Sequence, residues 1–500
     1  QSSMRIYIVI LLSIFTISCK AQNETEYLTK SQIEKDLAIF DEILQNKSSY
    51  QGLNGYSYKK DFEEYLNKVS EKQITKFDFE MFLSKTLGKI GDRHSYIKGD
   101  RLRNSIYFPF AFAPYKDKVI VINYNRTEKE YNFLNKDFPY LKSINKIPIE
   151  ELLPKIFPED VLAPKLSYSI RAIRELRDIE NIYKKLNIDL PNPISITLTN
   201  ENGFEKKLSI ELITKRRPRY WDERFYRNIS LLRDKDYNDT AIIDRFFKLK
   251  NNIGYIELVS MVDKEESPNF FEHLNTFMTE IKESEGLIID VRENDGGSRH
   301  LIQELAGYIV NTDSIYVVNA TKQRGKQPLN KKIKEELHYR HLFARNELEI
   351  NEQKAVDKFM NSFKPMYDLN DDKFSEYHYY VLNGQKITKD KYHYYKPIYI
   401  LANERSFSAA SILVSVFKGL PNVKIVGVNT DGSSGNSERF ELPNSELRGK
   451  ISTMVSFQKD GQLLDGIGTK PDIKIERNLD QIFWKEDYQI NKIIELIKAQ

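Results

Sequence analysis

Cysteine is almost absent: Cys19 is the only one in 500 residues. A single thiol excludes intrachain disulfides, zinc sites of the CxxC type and a cysteine nucleophile deeper in the chain. Charge of one sign is lacking too. Lys plus Arg number 76 against 72 Asp plus Glu, a formal +4, whereas a dedicated nucleic-acid binder carries a strong basic excess. No nucleic-acid partner is expected. Past the N-terminus no apolar run reaches the ~18 residues that a membrane span needs, and no internal repeat or low-complexity tract occurs. What is present, 40% hydrophobic and 30% charged residues with 30 Tyr and 28 Phe, is too apolar for a disordered chain and supplies several cores. At roughly 150 residues per domain the length suggests about three domains.

The N-terminus accounts for the cysteine. Gln1, Ser2 and Ser3 precede Met4 and read as a remnant foreign to the native chain. Arg5, the apolar run 6–17, Ser18 and Cys19 follow. A short positive region, about 12 apolar residues and a small residue before the cut form the layout of a secretory signal over 1–18. A cysteine directly after the small residue resembles a bacterial lipobox, which makes Cys19 an acylated first residue. An ordinary signal peptide or short anchor with an incidental cysteine is the other reading. Residues 19–30 are then a tether, and the expected location is periplasmic or cell-surface, on a bacterial membrane through a lipid at Cys19.

Residues 31–104 read as a helical unit. Ser31 with Glu34 forms a capping-box signal, and Ile33, Leu37, Phe40 and Leu44 share one face. Phe62, Leu66 and Val69 continue the pattern, and a third helix from about Thr75 carries Phe79, Phe82, Thr86 and Ile90. Residues 105–215 are β-rich, with strands at 119–122, 194–198 and 208–212. A strand and turn at 143–148 lead into a helix at 150–156. Basic residues at Lys215, Arg216, Arg217 and Arg219 read as a solvated boundary. Residues 245–500 alternate as α/β, with buried strands at 253–259, 286–291, 398–401 and 423–428 and helices at 270–283, 302–310 and 409–417. The charged, Tyr- and His-rich segment 320–395 reads as a partly helical insertion, a candidate lid.

Four constellations could carry chemistry. The buried strand Leu287-Ile288-Ile289-Asp290-Val291 opens into a loop with Gly296-Gly297, either a plain strand-to-helix turn or a place where amides approach an oxyanion. At Ser406-Phe407-Ser408-Ala409-Ala410-Ser411 strand gives way to helix. A serine there is a cap or, at Ser408, an exposed nucleophile with the Ala409 N–H as a second oxyanion donor. His94 stands in the polar stretch Gly91-Asp92-Arg93-His94-Ser95-Tyr96, and an imidazole is the natural base for a serine. Asp465 lies in a Gly- and Pro-fixed loop that is structural or orients a histidine. Glu335, His338 and His341 have helical metal-ligand spacing, but a solvated helix face explains them better than zinc does, and no metal is expected.

In this order the four segments resemble the tail-specific, or C-terminal processing, serine peptidases, including the tricorn core. The resemblance rests on Leu287–Arg292 with Gly296-Gly297, on Ser408 with Ile425-Val426-Gly427 and Thr430-Asp431-Gly432, and on Gly468, Pro471-Asp472-Ile473. It implies an α/β, multidomain α+β architecture: a crotonase-like ββα superhelix core, preceded by helices and a PDZ-like domain at 105–215. Ile144-Asn145-Lys146-Ile147-Pro148 is similar to a segment of that domain. Members with a Ser/Lys dyad carry the lysine about 25 residues after the nucleophile, but here Ser433 follows Gly432. The resemblance is therefore to the tricorn-type branch, in which a histidine ahead of the PDZ-like domain is the base and a carboxylate roughly 60 residues after the serine orients it.

It implies Ser408 as nucleophile, His94 as base, Asp465 as orienting group and the amides of Gly296 or Gly297 and Ala409 as oxyanion hole. The substrate is then an extended polypeptide, and no cofactor is needed. Oligomeric state stays open. Two other classes share the fold: a catalytically silent lipoprotein that binds peptides or apolar ligands in the same cleft, and an acyl-CoA enzyme, which the export signal disfavours.

Overall fold

Helix α1 (Lys30–Asn46) buries Ile33, Leu37, Phe40 and Leu44 along one face. Its cap is Thr29 rather than Ser31. The Thr29 side chain accepts from the Gln32 N–H, and the Gln32 side chain accepts from the Thr29 N–H at 2.9 Å. The same hydroxyl-and-amide chemistry thus closes two residues earlier than the Ser31/Glu34 pair would. Helix α2 (Tyr58–Lys68) leads to α3 (Lys76–Ile90), capped by Thr75 and stopped by Gly91 at φ 102°, a left-handed position that costs glycine no Cβ clash. Strand β1 (Tyr96–Lys98) follows. The structure, a computed structural model, describes residues 26–69, 74–98, 105–157, 164–214, 221–223, 236–369, 372–433 and 435–500. The expected signal segment, Cys19 and the basic cluster at 215–219 lie outside the described residues.

Next come β2 (Ala111–Tyr115), β3 (Lys118–Asn125), β4 (Glu130–Phe133), β5 (Tyr140–Ile144), β6 (Ile147–Pro148), α4 (Lys165–Glu175), β7 (Ile194–Thr199) and β8 (Glu205–Ile210). They form an antiparallel sheet in the order β8-β7-β5-β3-β2, with β4 on β3 and β6 on β5. Its core holds Phe108, Val121, Leu141, Ile173 and Ile196. The helix expected at 150–156 is a single turn, Ile149–Leu152, that tightens into a 3-10 turn. Pro154 has no N–H to give and its ring blocks a longer helix.

The remaining chain runs through β9 (Phe247–Lys250), β10 (Ile253–Glu257), α5 (Pro268–Glu280), β11 (Gly286–Asp290), α6 (His300–Ile309), β12 (Ile315–Gln323), α7 (Lys331–Tyr339), β13 (Leu342–Ala344) and β14 (His378–Asn383). It continues with β15 (Ile398–Ala402), α8 (Ala409–Phe417), β16 (Val423–Gly427), β17 (Ser437–Leu442), β18 (Leu447–Ser452), β19 (Met454–Phe457) and β20 (Ile473–Lys474). The central sheet has the order β9-β10-β11-β15-β16-β20, parallel from β10 onward. Every residue of β11 and β15 is buried, because crossover helices cover a parallel sheet on both faces.

This is a mixed α/β multidomain chain. The boundary expected at 320 falls inside β12. The segment beyond it is no separate flap, because the sheet order β13-β14-β12-β19 ties it to residues 454–457. The helical unit likewise owns no separate core: Phe40, Phe79 and Leu83 share one with Val317, Tyr379, Ile451 and Phe457. Strand β1 pairs with β18. That pairing carries the turn after α3 to the C-terminal ends of β11 and β15.

Candidate active site

Between β15 and α8 the backbone makes a sharp bend at Ser408, φ 53° and ψ −125°. A non-glycine residue there costs about 1–3 kcal/mol and survives only where neighbours over-determine it. They do. The Ser406 hydroxyl donates to the Val291 carbonyl at 2.8 Å and accepts from the Asn403 N–H at 3.1 Å. The Ser411 hydroxyl donates to the Ser406 carbonyl at 2.7 Å and accepts from the Gly432 N–H at 2.9 Å. The Phe407 N–H reaches the Asn294 carbonyl at 2.9 Å. Ser406 and Ser411 are thus pins of the bend. Ser408 makes no side-chain cap bond; its Oγ lies 3.3 Å from His94 Nε2.

His94 is held by the turn that follows α3. One Asp92 oxygen accepts from the N–H groups of His94, 2.8 Å, and Ser95, 2.9 Å, and the other accepts the Ser95 hydroxyl. The ring stacks on Phe407 with centroids 5.1 Å apart. Behind it, Nδ1 meets Ser433 Oγ at 2.6 Å. Ser433 donates to Asp465 Oδ1 at 3.2 Å, and the Tyr50 hydroxyl donates to Asp465 Oδ2 at 2.8 Å. Asp465 therefore reaches His94 through Ser433 instead of touching it, as the sequence order had implied. The Gly435 N–H also approaches Nδ1, at 3.3 Å. It can donate only when the ring proton sits on Nε2, whereas the Ser433–Asp465 chain favours the proton on Nδ1. Burial, reinforced by the charges of Lys450, Arg93 and Arg340, pushes the His94 pKa down to about 3.

The glycine loop after β11 closes against Ser408. A Cβ on Gly296, φ 98°, would lie 2.6 Å from Ser408 Cβ, and one on Gly297, φ 139°, would lie 2.2 Å from the Met261 carbonyl oxygen. Only glycine allows this approach. The Gly296 N–H is occupied, donating to Asn294 Oδ1 at 2.8 Å, so Gly296 leaves the candidate donor set. The N–H groups of Gly297 and Ala409 have no hydrogen-bond acceptor among the described residues. Both residues, with Ser408, line a cavity of about 100 Å³.

Buried charges fix this loop from behind. Glu293, φ 60°, accepts from the Arg174 guanidinium at 3.1 and 3.2 Å and pairs with Arg405 at 2.7 Å. Burial alone would raise its carboxyl; the Arg174 and Arg405 charges overcome that and bring it to about 2. Arg174 belongs to α4, so the antiparallel sheet domain reaches into the loop that carries Gly297. The residues of the possible metal spacing diverge: Glu335 pairs with Lys331 at 3.7 Å and His338 with Glu347 at 3.1 Å. Sequence reasoning missed Ser433 as a partner of His94, having marked it only as the place of a lacking lysine. It also missed Tyr50, which no motif signals.

Residues 252–475 match the model of peptidase family S41. A Chlamydia pneumoniae protein, CPj1016/CpB1054, is 24% identical over 111 residues, 22% of this chain and 17% of that protein. An uncharacterized protein of Chlamydia muridarum (strain MoPn / Nigg) is 26% identical over 109 residues, 21% and 18% of the two chains. The match spans less than a fifth of either relative's length. Among solved structures, mature CPAF is similar over 94% of this chain and 98% of its own, with a TM-score of 0.61 and 14% identity. Mature CPAF complexed with lactacystin has a TM-score of 0.59 at the same coverage and identity. These two are likenesses of fold.

Proposed function

We propose, from the match of residues 252–475 to the model of peptidase family S41, that the protein hydrolyses peptide bonds of extended polypeptides through an acyl-enzyme on Ser408. The observation that carries this reading is the 3.3 Å approach of His94 Nε2 to Ser408 Oγ, between residues 314 apart in the chain, with Ser433 and Asp465 aligned behind the imidazole. Nucleophile, base and orienting group then stand in the relation that acyl transfer requires.

His94, protonated on Nδ1 and bonded to Ser433, takes the Ser408 proton on Nε2 as Oγ attacks the carbonyl carbon. The oxyanion so formed is met by the N–H groups of Gly297 and Ala409; a donor of this kind is worth about 100- to 1,000-fold in rate. The imidazolium returns its proton to the leaving amine, which departs with the C-terminal part of the substrate. A water, deprotonated by the same nitrogen, then attacks the acyl carbon, and Ser408 recovers its proton as the carboxylic acid product leaves. Asp465 stays ionised throughout and stabilises the imidazolium across the Ser433 hydroxyl.

The test compares hydrolysis of an unfolded protein by the chain lacking residues 1–19 with its Ser408→Ala and His94→Ala variants. Both are expected to lose activity by at least about 1,000-fold with unchanged circular dichroism. Activity that survives Ser408→Ala overturns the nucleophile.

A further inference from the structure

The cavity of about 100 Å³ beside Ser408 is walled on its far side by Arg299, Tyr339 and Arg340. We propose that it is a carboxylate subsite, in which Arg299 and Arg340 select substrates that place an acidic group next to the scissile bond. The group is an Asp or Glu side chain or a free C-terminal carboxylate. This rests on the reading of Ser408 as nucleophile for its place in catalysis, but not for its ability to bind.

Arg299 carries the argument. Its residue is 5% exposed, yet no carboxylate of the described residues pairs with its guanidinium. Its contacts are the Arg340 carbonyl, 3.3 Å from Nη1, and the Tyr380 ring face, 5.8 Å away. Burial lowers its pKa to about 10; Tyr380 opposes this, and the neighbouring Arg340 charge adds a smaller lowering effect. Arg340, itself mostly buried, donates to the Glu336 carbonyl at 2.9 Å. The Glu336 carboxylate is directed elsewhere, to Asn436 Nδ2 at 3.1 Å. Three buried guanidiniums elsewhere hold carboxylates directly, Arg174 with Glu293, Arg292 with Asp290 and Arg477 with Glu404, whereas buried Arg324 meets the Gln45 carbonyl at 2.7 Å and the Phe374 ring at 5.5 Å but lines no cavity beside Ser408. Two cations facing one small cavity without such a partner leave a charge deficit that a bound anion removes.

Shape agrees with charge. The guanidinium fork matches a carboxylate in a bidentate way. The cavity of about 100 Å³ has room for a carboxyl group. Tyr339, whose hydroxyl donates to Asp263, fixes the wall through α7. The segment read from sequence as an insertion therefore supplies Tyr339 and Arg340, two of the three residues of that wall.

Two measurements test this. In the first, kcat/KM is compared for matched peptides carrying Asp or Glu, against Asn or Gln, on either side of the cleaved bond, and for peptides with free against amidated C-termini. An acidic group is expected to favour hydrolysis by about 10- to 100-fold, and the arm that shows the preference identifies the source of the carboxylate. Arg299→Gln and Arg340→Gln are expected to abolish the preference. If Arg299→Gln fails to fold, the less buried Arg340→Gln decides alone. In the second, the Ser408→Ala protein is titrated calorimetrically with the same peptides. Tighter binding of the acidic members that is lost in Ser408→Ala/Arg340→Gln supports the subsite even if the wild type proves inert, an outcome that would sink only the peptidase reading. Equal handling of acids and amides in both measurements, or a preference that both arginine variants retain, overturns the proposal.

Discussion

At the scale of single residues, Ser433 alters what the acid of the site can do. A carboxylate touching Nδ1 would hold the imidazole proton and face the imidazolium directly. Here a neutral hydroxyl stands between them, 2.6 Å from Nδ1 and 3.2 Å from Asp465, so Asp465 acts on the ring one hydrogen bond removed. Ser433 fixes the tautomer, and Asp465 fixes Ser433. The Tyr50 hydroxyl helps to hold Asp465, and burial beside that charge raises the Tyr50 pKa well above its ordinary value, so Tyr50 remains a donor. Ser433→Ala removes the acceptor for Nδ1–H and leaves Gly435 N–H beside that nitrogen, which moves the proton to Nε2 and blocks its use as a base. The expected result is a fall in kcat of about 100- to 10,000-fold with KM little changed. The low-field proton resonance of the imidazole Nδ1–H is expected to vanish with it. A loss confined to KM would mean that Ser433 only shapes the substrate cleft.

At the scale of elements, the strands that hold the site were readable and the charges that hold the strands were not. Strands β11 and β15 are continuous apolar runs because both faces are covered, and α8 follows from the same pattern, so Ser408 and the glycine loop could be placed at strand ends from residues alone. Strand β12 was hidden because it buries Asn319, Thr321, Lys322 and Gln323, polar residues that a strand pattern does not accommodate. The link between α4 and the glycine loop left no trace either: Arg174 and Glu293 are 119 residues apart, and each looks like solvated surface in its own segment. Yet Glu293 sits next to Asn294, which holds the Gly296 N–H. Arg174→Met removes one of the charged partners that hold the Glu293 carboxylate. Breaking a buried pair from one side costs about 3–5 kcal/mol, so the denaturant midpoint is expected to drop and kcat to fall with it as the loop loosens. Arg174→Met with Glu293→Met is expected to recover part of the stability. A double variant no more stable than the sum of the single losses would show that the pair does not couple the two domains.

At the scale of the whole molecule, the site is assembled from both ends of the chain. Tyr50 and His94 come from the helical unit, and Ser408, Ser433 and Asp465 from the α/β core, over a hydrophobic core that both share. Catalysis therefore reports global folding, and acid decides which fails first. His94, at about 3 against an ordinary 6.5, binds fewer protons folded than unfolded between those values, so its contribution to stability falls as pH falls. Asp92, raised to about 7 by burial with Asp465 adding to it, has the opposite sign over nearly the same range, and the two largely cancel. Below about 4.5 the balance tips. Glu293 is lowered to about 2, and Glu304 and Glu352 are held low against burial by their lysine partners. Each takes up a proton more readily once unfolded, so stability drains away with falling pH. His94 would lose its base function only near 3, after that loss has begun. Activity is therefore expected to persist well below pH 6.5 and then to disappear together with tertiary structure below about 4.5, the two curves overlaying in kcat/KM and near-ultraviolet circular dichroism. A simple titration near 6.5 in protein that stays folded would mean that His94 is neither desolvated nor surrounded by cations as the geometry requires.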